Sequence, residues 1–460
     1  MQSFWGSDVW GTFLLFAVLL GSLLVGNVLK KSIPLMQNSL IPTSVIGGVI
    51  LIIIAAIYKA ITGDVMFDTG FFGGNGTAKL EIITYHALAL GFIASTLKNT
   101  KSAMNKQRTE EIFNTGVTTV STYLIQAIVG FGTTMLVALF ISGFFSAAGV
   151  LLPFGYGQGT GQAMNYGIIY ETEFGFDGGK NFGLTIAALG FLSASIGGVI
   201  HLNVMKRRGK LKTAADQFGE AQQEAVEGEN EIPLSESMDK MTVQIALIAV
   251  SYFLSYGMMY LLGMLLPGMK AVIYGFNFLL GVIAAMLVKA IFNLLKKKKI
   301  IKREYTNNFL LTRAGNFCFD VMIVSGIAAI RLDIVEKFWG VLILLGVLGT
   351  VATYLYNRIV AKVLFPRYME EQFLMMYGML TGTASTGIIL LREIDGEFRT
   401  PASDNMVYQN LPAIVFGFPM MLLATLAPKK PLLTLGIFVV FFVVMNIILF
   451  RRQIFRKKKK

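Results

Sequence analysis

Two short segments of the sequence share a pattern of tyrosine, glycine and threonine that can form a polar binding site. They read YGQGTGQA at 156–163 and YGMLTGTA at 377–384, so Tyr, Gly, Thr, Gly and Ala recur at the same spacing, 221 residues apart. Each copy is followed by Gly-Ile-Ile, at 167–169 and 387–389. Glycines permit turns and close approach, while Thr and Gln side chains supply oxygen ligands and N–H donors. The repeat indicates a duplicated site for an ion or a small polar molecule.

The composition indicates whether the protein lies in water or in a membrane. Of the 460 residues, 54% are hydrophobic and only 15% are charged, and the mean hydropathy is +0.64. A chain of this kind lacks the polar surface that a water-soluble protein of its size needs, since average soluble proteins carry about 25% charged residues. We therefore expect an integral membrane protein and exclude a set of soluble domains.

Apolar stretches long enough to cross the membrane as helices, about 20 residues each, recur along the whole chain. They predict an all-α polytopic protein with eleven spans. These lie near 9–29, 41–58, 80–97, 112–140, 181–205, 241–266, 271–295, 310–332, 336–361, 407–427 and 431–450.

The basic residues predict how these spans are oriented. Threading the spans from an outside N-terminus places 32 of the 40 Lys and Arg on the inner side. Because positive charge accumulates on the cytoplasmic face, we expect the C-terminus inside, in a cell inner (plasma) membrane. The clusters lie between apolar runs, so the net charge of +13 does not indicate a nucleic-acid partner.

The chain divides near its midpoint into two halves of similar layout. Residues 206–240 are polar and charge-mixed and predict a cytoplasmic linker. An odd number of spans before it makes the second half enter from the opposite face. We therefore expect two inverted five-helix repeats, 1–205 and 241–427, followed by an extra transmembrane helix and a basic cytoplasmic tail at 428–460.

The two motif copies lie in apolar stretches that polar residues interrupt, near 147–170 and near 372–392. Backbone that leaves the helix at membrane depth is tolerated only inside protein or beside a wet cavity. Helix N-termini there favour anions, and freed carbonyls favour sodium or another cation. We expect a re-entrant hairpin in each repeat, although close helix packing alone could also explain the glycines. The candidate substrate ligands are Gln158, Gly159, Thr160, Gly161, Gln162, Thr381, Gly382, Thr383, Ser385 and Thr386.

Three further polar residues fall inside or beside the eighth span. Asp320 lies deep in it, where a carboxylate is costly and usually faces a cavity or a partner. We interpret Asp320 as a sodium ligand, with a structural ion pair as the alternative, and Asn316 as a second sodium ligand. Arg331, near the outer end, is a candidate for binding a substrate carboxylate or for reaching the lipid headgroups.

Three classes of function fit polar breaks at membrane depth. Re-entrant loops rich in Gly and Thr also form the selectivity filters of channels, but two inverted copies suit alternating access better. An intramembrane hydrolase needs a nucleophile with a base in reach, or two membrane carboxylates. The chain has only two histidines, His86 and His201, and only Asp320 lies deep in a span, so a hydrolase is disfavoured. Two histidines also make zinc chemistry improbable, and a single cysteine, Cys318, excludes an internal disulfide.

The sequence resembles the bacterial sodium/glutamate symporter family over roughly residues 15–425. IPTSVIGGVIL at 41–51 is similar to the family's second helix, GQGTGQA at 157–163 to its first hairpin, and GNFCFDVMIVSGIAAIRL at 315–332 to its eighth helix. The resemblance implies inverted repeats, re-entrant hairpins, sodium coupling, L-glutamate uptake and a homodimer. The sequence departs from the family pattern at two hairpin positions, where Gln158 stands in place of the common His and Ser385 in place of Pro, and these changes put glutamate specificity in doubt. The last helix has no counterpart in the ten-helix members.

Together these observations predict a sodium-coupled secondary transporter that takes up glutamate or a related small carboxylate. The coupling ion would be sodium, with no other cofactor, no enzymatic activity and no nucleic acid.

Overall fold

The computed structural model of the chain is built from helices. The long helices follow the apolar runs, and several ends are set by local chemistry. The Asp239 carboxylate accepts hydrogen bonds from the backbone N–H groups of Met241 and Thr242 and so caps the helix that follows. Gly63, with φ 81°, ends a helix in the left-handed conformation that glycine tolerates best. The structure describes residues 5–37, 41–98, 106–208, 231, 238–267, 270–275, 277–395 and 399–455.

Sixteen helices are numbered in chain order, and the short helical segments Pro34–Gln37, Lys270–Gly275 and Leu332–Val335 carry no number. The numbered helices are α1 (Ser7–Ser32), α2 (Thr43–Thr62), α3 (Gly76–Leu97), α4 (Lys106–Phe140), α5 (Leu151–Phe174), α6 (Gly179–Arg207), α7 (Lys240–Leu265), α8 (Asn277–Lys297), α9 (Asn308–Ala328), α10 (Trp339–Leu364), α11 (Met369–Thr381), α12 (Ala384–Arg392), α13 (Ala402–Tyr408), α14 (Asn410–Leu426), α15 (Pro431–Leu449) and α16 (Arg451–Ile454).

The prediction of an all-helical chain with many membrane spans is confirmed. Within the described ranges, ten helices are long and apolar enough to cross a membrane: α1 to α4, α6 to α10, and α15. Their outer faces carry large exposed apolar side chains, such as Leu139, Phe253 and Val440, which suit contact with lipid tails.

The tenth predicted span, 407–427, is not one continuous long helix. It divides into the end of α13 and the 17-residue α14. Pro412 explains the division, because it has no N–H to donate to the carbonyl four residues earlier. At 1.5 Å per residue α14 is about 26 Å long, slightly less than the hydrocarbon thickness of about 30 Å. Within the described residues, ten helices are therefore long and apolar enough to span the membrane, where the sequence predicted eleven spans.

The predicted span 271–295 begins later than expected. The long helix is α8, which starts at Asn277, and Lys270–Gly275 forms a separate short helix. Most of the predicted linker 206–240 lies outside the described residues, so its expected place on the cytoplasmic side stays a prediction.

The chain forms two compact units, and each draws on both halves of the sequence. Unit 1 comprises Met1–Leu19, Phe67–Ala103 and Gln223–Gly326. Its core packs α3 against α7, α8 and α9 through side chains such as Ile93, Leu247 and Leu311. Unit 2 comprises Leu20–Met66, Met104–Gln222 and Ile327–Lys460, and it contains both copies of the repeated motif.

Hydrogen bonds between polar groups join the helices of unit 1. Thr84 on α3 bonds Ser325 on α9 through their hydroxyls, 2.9 Å apart. The Asn277 amide donates to the backbone carbonyl of Tyr85 at 2.9 Å, and His86 Nδ1 lies 2.7 Å from the Tyr252 hydroxyl. Such bonds stabilise helix pairs in membranes, so these polar residues have structural partners.

Candidate functional site: two helical hairpins in unit 2

The first motif copy forms a tight turn between two helical arms. Gly159 interrupts α5 with φ 81° and ψ −171°, a conformation essentially restricted to glycine. The rings of Phe154 and Tyr166 stack with their centroids 3.8 Å apart. Twelve residues along a straight helix would separate them by about 18 Å. The two arms of α5 therefore lie side by side, with Gly159 at the tip.

The second motif copy also turns back on itself. Helix α11 ends at Thr381 and α12 begins at Ala384. Between them Gly382 has φ −131° and ψ −105°, which is neither helical nor extended, and Thr383 is extended. A Cβ on Gly378 would lie 2.8 Å from the Cα of Gly387, so the arms touch through two glycines. This close contact forms a second helical hairpin with its tip at 382–383.

The two tips do not occur at equivalent positions of the repeat. Gly159 corresponds to Leu380, and Gly382 corresponds to Gly161. Leucine cannot adopt the positive φ of Gly159 without strain. The second hairpin therefore turns at the next glycine along the chain.

Equivalent tyrosines of the two hairpins meet one residue of α6. The Tyr156 hydroxyl lies 3.0 Å from the Ser193 hydroxyl and donates to the Gly346 carbonyl on α10 at 2.7 Å. The Tyr377 hydroxyl donates to the Ser193 carbonyl at 2.9 Å. The repeated tyrosines thus fix both hairpins to the same point of α6.

Helix α4 contacts both hairpins close to their tips. The Tyr123 hydroxyl donates to the Gly157 carbonyl at 3.1 Å, and the Gln126 amide donates to the Leu380 carbonyl at 2.8 Å. Both carbonyls lie at the end of a first arm, where a helix loses its own N–H partners. Gln126 also donates to the Thr353 hydroxyl on α10 at 2.8 Å. Two side chains one turn apart on α4 therefore each donate a hydrogen bond to a carbonyl at one of the two helix breaks.

The sequence identified only part of this arrangement. From the sequence, Gln126 is only a lesser candidate, because amides in membranes also serve as hydrogen-bond partners between helices. Tyr123 is not a candidate, because a tyrosine in an apolar span usually serves packing. The spacing of three residues, which places both side chains on one face of α4, was the available signal.

Several buried polar atoms around the tips have no hydrogen-bond partner within the described structure. They include both amide atoms of Gln158, the amide nitrogen of Gln162 and the hydroxyls of Thr383 and Thr386. The amide oxygen of Gln126 is likewise buried without a hydrogen-bond partner in the described structure. Because an unpaired buried polar atom costs about 1–3 kcal/mol, such a concentration is typical of a site that binds a polar ligand.

The remaining predicted residues of the hairpins have simpler surroundings. Thr160 and Gly161 are buried in the second arm of α5. Thr381 is buried and donates its hydroxyl to the Tyr377 carbonyl, one turn earlier, at 2.6 Å. The side chain of Ser385 lies outside the described part of the chain.

The three other predicted residues lie away from the hairpin arms in the chain. Asn316 and Asp320 belong to α9 in unit 1, where the Asn316 side chain is exposed and the Asp320 side chain is partly exposed. Arg331 follows α9 and belongs to unit 2, and its backbone N–H donates to the side-chain oxygen of Asn181 at 2.7 Å. Their functional roles stay predictions.

A network of charged groups ties the base of the second hairpin to its neighbours. Glu370, in the first turn of α11, accepts hydrogen bonds from both Arg358 guanidinium nitrogens at 2.6 and 2.8 Å. His201 on α6 lies 3.0 Å from the same carboxylate and 2.8 Å from the Tyr354 hydroxyl. Although burial acts to raise it, hydrogen bonds from His201 and Arg358 lower the pKa of Glu370 to about 2. The network joins α6, α10 and α11.

Comparison with known proteins agrees with these observations. Residues 8–371 match the sequence model of the sodium/glutamate symporter family. This is well over half of the chain, so the protein belongs to that family, which is one of transporters rather than of enzymes. The match includes the first hairpin and ends near the start of α11. No match was found among the curated proteins with which the chain was compared.

Proposed function

We propose that this member of the sodium/glutamate symporter family couples sodium influx to the uptake of glutamate or a related small carboxylate by alternating access. One observation carries the proposal above all. Tyr123 and Gln126, one turn apart on α4, bind the carbonyls that end the first arms of both hairpins. Two duplicated helix breaks that converge on one helix suit a single central site in a transporter.

The hairpins enter the membrane as re-entrant elements of two inverted five-helix repeats. Their shared motif and their common contacts with α4 and α6 support this proposal. The uncharged sequence of both hairpins, 151–170 and 372–391, suits burial within the membrane. Both tips would then lie near the midplane, accessible to either side in turn.

The two ends of the broken helices have opposite preferences. The second arm of α5 and helix α12 present their N-termini at the tips, and helix N-termini attract anionic groups. We assign the substrate's α-carboxylate to these N-termini. The carbonyl ends of the first arms and the hydroxyls of Thr160 and Thr381 are oxygen groups of the kind that bind sodium.

Uptake of labelled glutamate into proteoliposomes tests the proposal directly. We expect accumulation when sodium is higher outside than inside, and none when sodium is replaced by potassium or when the gradient is dissipated. A panel of unlabelled competitors, including neutral amino acids, dicarboxylates and aromatic acids, identifies the substrate class. Passive sodium current without substrate coupling would instead indicate a channel.

The expected orientation places the N-terminus outside, the C-terminus inside and the linker in the cytoplasm of a cell bounded by the plasma membrane. The distribution of Lys and Arg supports this orientation. In a Cys318→Ser background, Glu220→Cys should be protected from a membrane-impermeant thiol reagent in whole cells. Lys430→Cys, in the exposed loop after α14, should react and serves as the control. Reaction at position 220 from outside would reverse the orientation. We also expect a homodimer, as in the family.

The repeated threonines Thr160 and Thr381 should both contribute to transport. A Thr→Val change keeps the shape and removes the hydroxyl, so each variant should show several-fold weaker sodium-driven uptake at unchanged expression. Thr133→Val is the matched control, because Thr133 on α4 donates to the carbonyl one turn earlier, as Thr381 does, but lies outside both hairpins. Normal uptake and sodium dependence in both hairpin variants would leave the glycines and threonines with a packing role only.

Asp320 on α9 tests whether the carboxylate serves coupling or structure. Asp320→Asn keeps the size and removes the charge, so loss of a sodium ligand should raise the sodium concentration needed for half-maximal uptake at least tenfold. Melting temperature and sodium-dependent uptake are measured on the same preparation. If Asp320 serves an ion pair instead, the variant should lose stability, by about 3–5 kcal/mol for a buried pair, while coupling in the surviving protein stays normal.

A further inference from the structure

The segments that surround the hairpin tips contain no residue that is charged at neutral pH. Neither hairpin contains Asp, Glu, Lys, Arg or His over 151–170 or 372–391. The neighbouring parts of α4, α6 and α10, residues 112–140, 181–200 and 338–357, also lack all five residue types. These are the helices that supply Tyr123, Gln126, Ser193 and Gly346 to the hairpins. The protein therefore offers no cationic side chain from these segments to a bound anion.

A charge-free site is poorly suited to a substrate with two carboxylates. Moving a carboxylate from water into a buried site costs several kcal/mol when no cation or full set of hydrogen bonds compensates it. The α-carboxylate has compensation from the helix N-termini at the tips and from the substrate's own ammonium group. A second carboxylate on the side chain would have neither, and the five uncharged segments offer it no cation.

The polar groups that are present suit a neutral amide. Gln158 has both an unpartnered N–H donor and an unpartnered carbonyl oxygen, directly before the turn at Gly159. The amide nitrogen of Gln162 adds a donor, and the amide oxygen of Gln126 adds an acceptor. A carboxamide presents one acceptor and two donors, so it can pair with such a set, whereas a carboxylate only accepts. Acceptors facing a carboxylate would leave both sides unpaired.

The second hairpin offers hydroxyl groups for the amino-acid end of the substrate. A Cβ on Gly382 would lie 2.8 Å from the Thr386 hydroxyl, so the glycine lets the backbone of the tip approach this hydroxyl closely. The hydroxyls of Thr383 and Thr386 flank the first turn of α12 and have no partner within the described residues. They add neutral donors beside the N-terminus that we assign to the α-carboxylate.

We propose that the hairpin site selects an amino acid whose side chain ends in a carboxamide, such as L-glutamine, over L-glutamate. This inference rests on the proposed function, since it assigns the substrate class of the same transport site. It rests on the five uncharged segments and on the donors and acceptors of Gln158, Gln162 and Gln126 that have no partner within the described residues.

Sodium-driven uptake of labelled L-glutamine and L-glutamate in proteoliposomes tests the inference. We expect kcat/KM for glutamine to exceed that for glutamate at least tenfold, and glutamate to compete with glutamine only at correspondingly higher concentration. An equal or greater kcat/KM for glutamate would overturn the inference and leave the proposed function intact. Absence of sodium-dependent uptake of either amino acid would overturn both.

Variants at Gln158 test which residue carries the selectivity. Gln158→Leu should reduce the ratio of glutamine to glutamate uptake at least tenfold, because it removes the donor and the acceptor together. Gln158→Glu keeps a similar size and should disfavour glutamate further by charge repulsion. Gln453→Leu, at an exposed position on α16, is the control and should leave the ratio unchanged. A ratio unchanged in both Gln158 variants would overturn the assignment.

Discussion

Gly159→Ala should reduce transport strongly while leaving membrane insertion intact. Gly159 has φ 81° and ψ −171°, and a non-glycine residue in that conformation costs about 1–3 kcal/mol of strain. The strain is relieved only if the tip of the first hairpin changes its path. Such a change displaces Gln158, Thr160 and the Gly157 carbonyl that Tyr123 binds. We expect sodium-driven uptake to fall at least tenfold.

A control variant shows whether a loss of uptake is specific to the hairpin tip or follows from replacing any glycine in a helix. Gly132 lies in the regular helix α4, and a Cβ there would meet no atom within 4 Å. Gly132→Ala should therefore keep normal uptake and stability. Size-exclusion profiles and melting temperatures of both variants show whether the protein is folded. If Gly159→Ala folded and transported as well as Gly132→Ala, the conformation of the tip would not be required for transport.

Hydropathy predicted most of the membrane helices because each must present about 20 apolar residues to lipid. The predicted spans 9–29 and 431–450 correspond closely to α1 and α15. The prediction failed at 407–427, where Pro412 and the buried Gln409 divide the segment. Average hydropathy does not register the position of a proline, although a proline in the first turn favours a helix start there.

The repeated motif predicted that two breaks exist but not where each turn lies. The sequence match places Gly159 opposite Leu380, yet the second hairpin turns at Gly382. A motif reports residue types, whereas a turn depends on which backbone angles those types permit. The same limit applies to Tyr123. Its hydroxyl has a function only because the fold brings the Gly157 carbonyl to it, and no local pattern contains that contact.

The grouping of helices into two units also lies beyond local sequence. Unit 2 takes both hairpins, one from each half, while α3 from the first half packs with α7, α8 and α9 from the second in unit 1. Span prediction reads each apolar run separately, so it cannot say which runs pack together. Asp320 illustrates the consequence, because its sequence context gave no indication that it belongs to a different unit from the hairpins.

Removing the Arg358 guanidinium should destabilise the folded protein measurably. Arg358 makes two hydrogen bonds to Glu370, whose side chain is 19% exposed. Arg358→Gln would leave the carboxylate with His201 as its main partner. Breaking a buried pair costs about 3–5 kcal/mol, and the partial exposure reduces the expected loss to about 1–3 kcal/mol. Thermal unfolding in detergent measures it.

Two controls identify the source of this loss. Lys337 and Asp177 form an ion pair at 2.8 Å with both side chains exposed, so Lys337→Gln should cost no more than about 1 kcal/mol. The double variant Arg358→Leu, Glu370→Leu removes both charges, so it should be more stable than Arg358→Gln because no carboxylate is left unpaired. Equal losses in the single and double variants would show that packing of the arginine, and not the ion pair, stabilises the base of the second hairpin.

The pH dependence gives an independent test of the same ion pair. The pKa of Glu370 is about 2 in the folded protein, below its ordinary value of 4.5. A lowered pKa means that the unfolded chain binds the proton more tightly, so the contribution to stability is complete above about pH 5 and is lost as the pH falls toward 2. Glu370→Gln should therefore be less stable than the unmodified protein at pH 7, with a difference that shrinks between pH 5 and pH 3. A difference that stays constant over this range would show that the ionised carboxylate does not hold α11 against α6 and α10, and that the hairpin base is fixed by apolar packing around Phe373 and Tyr377 instead.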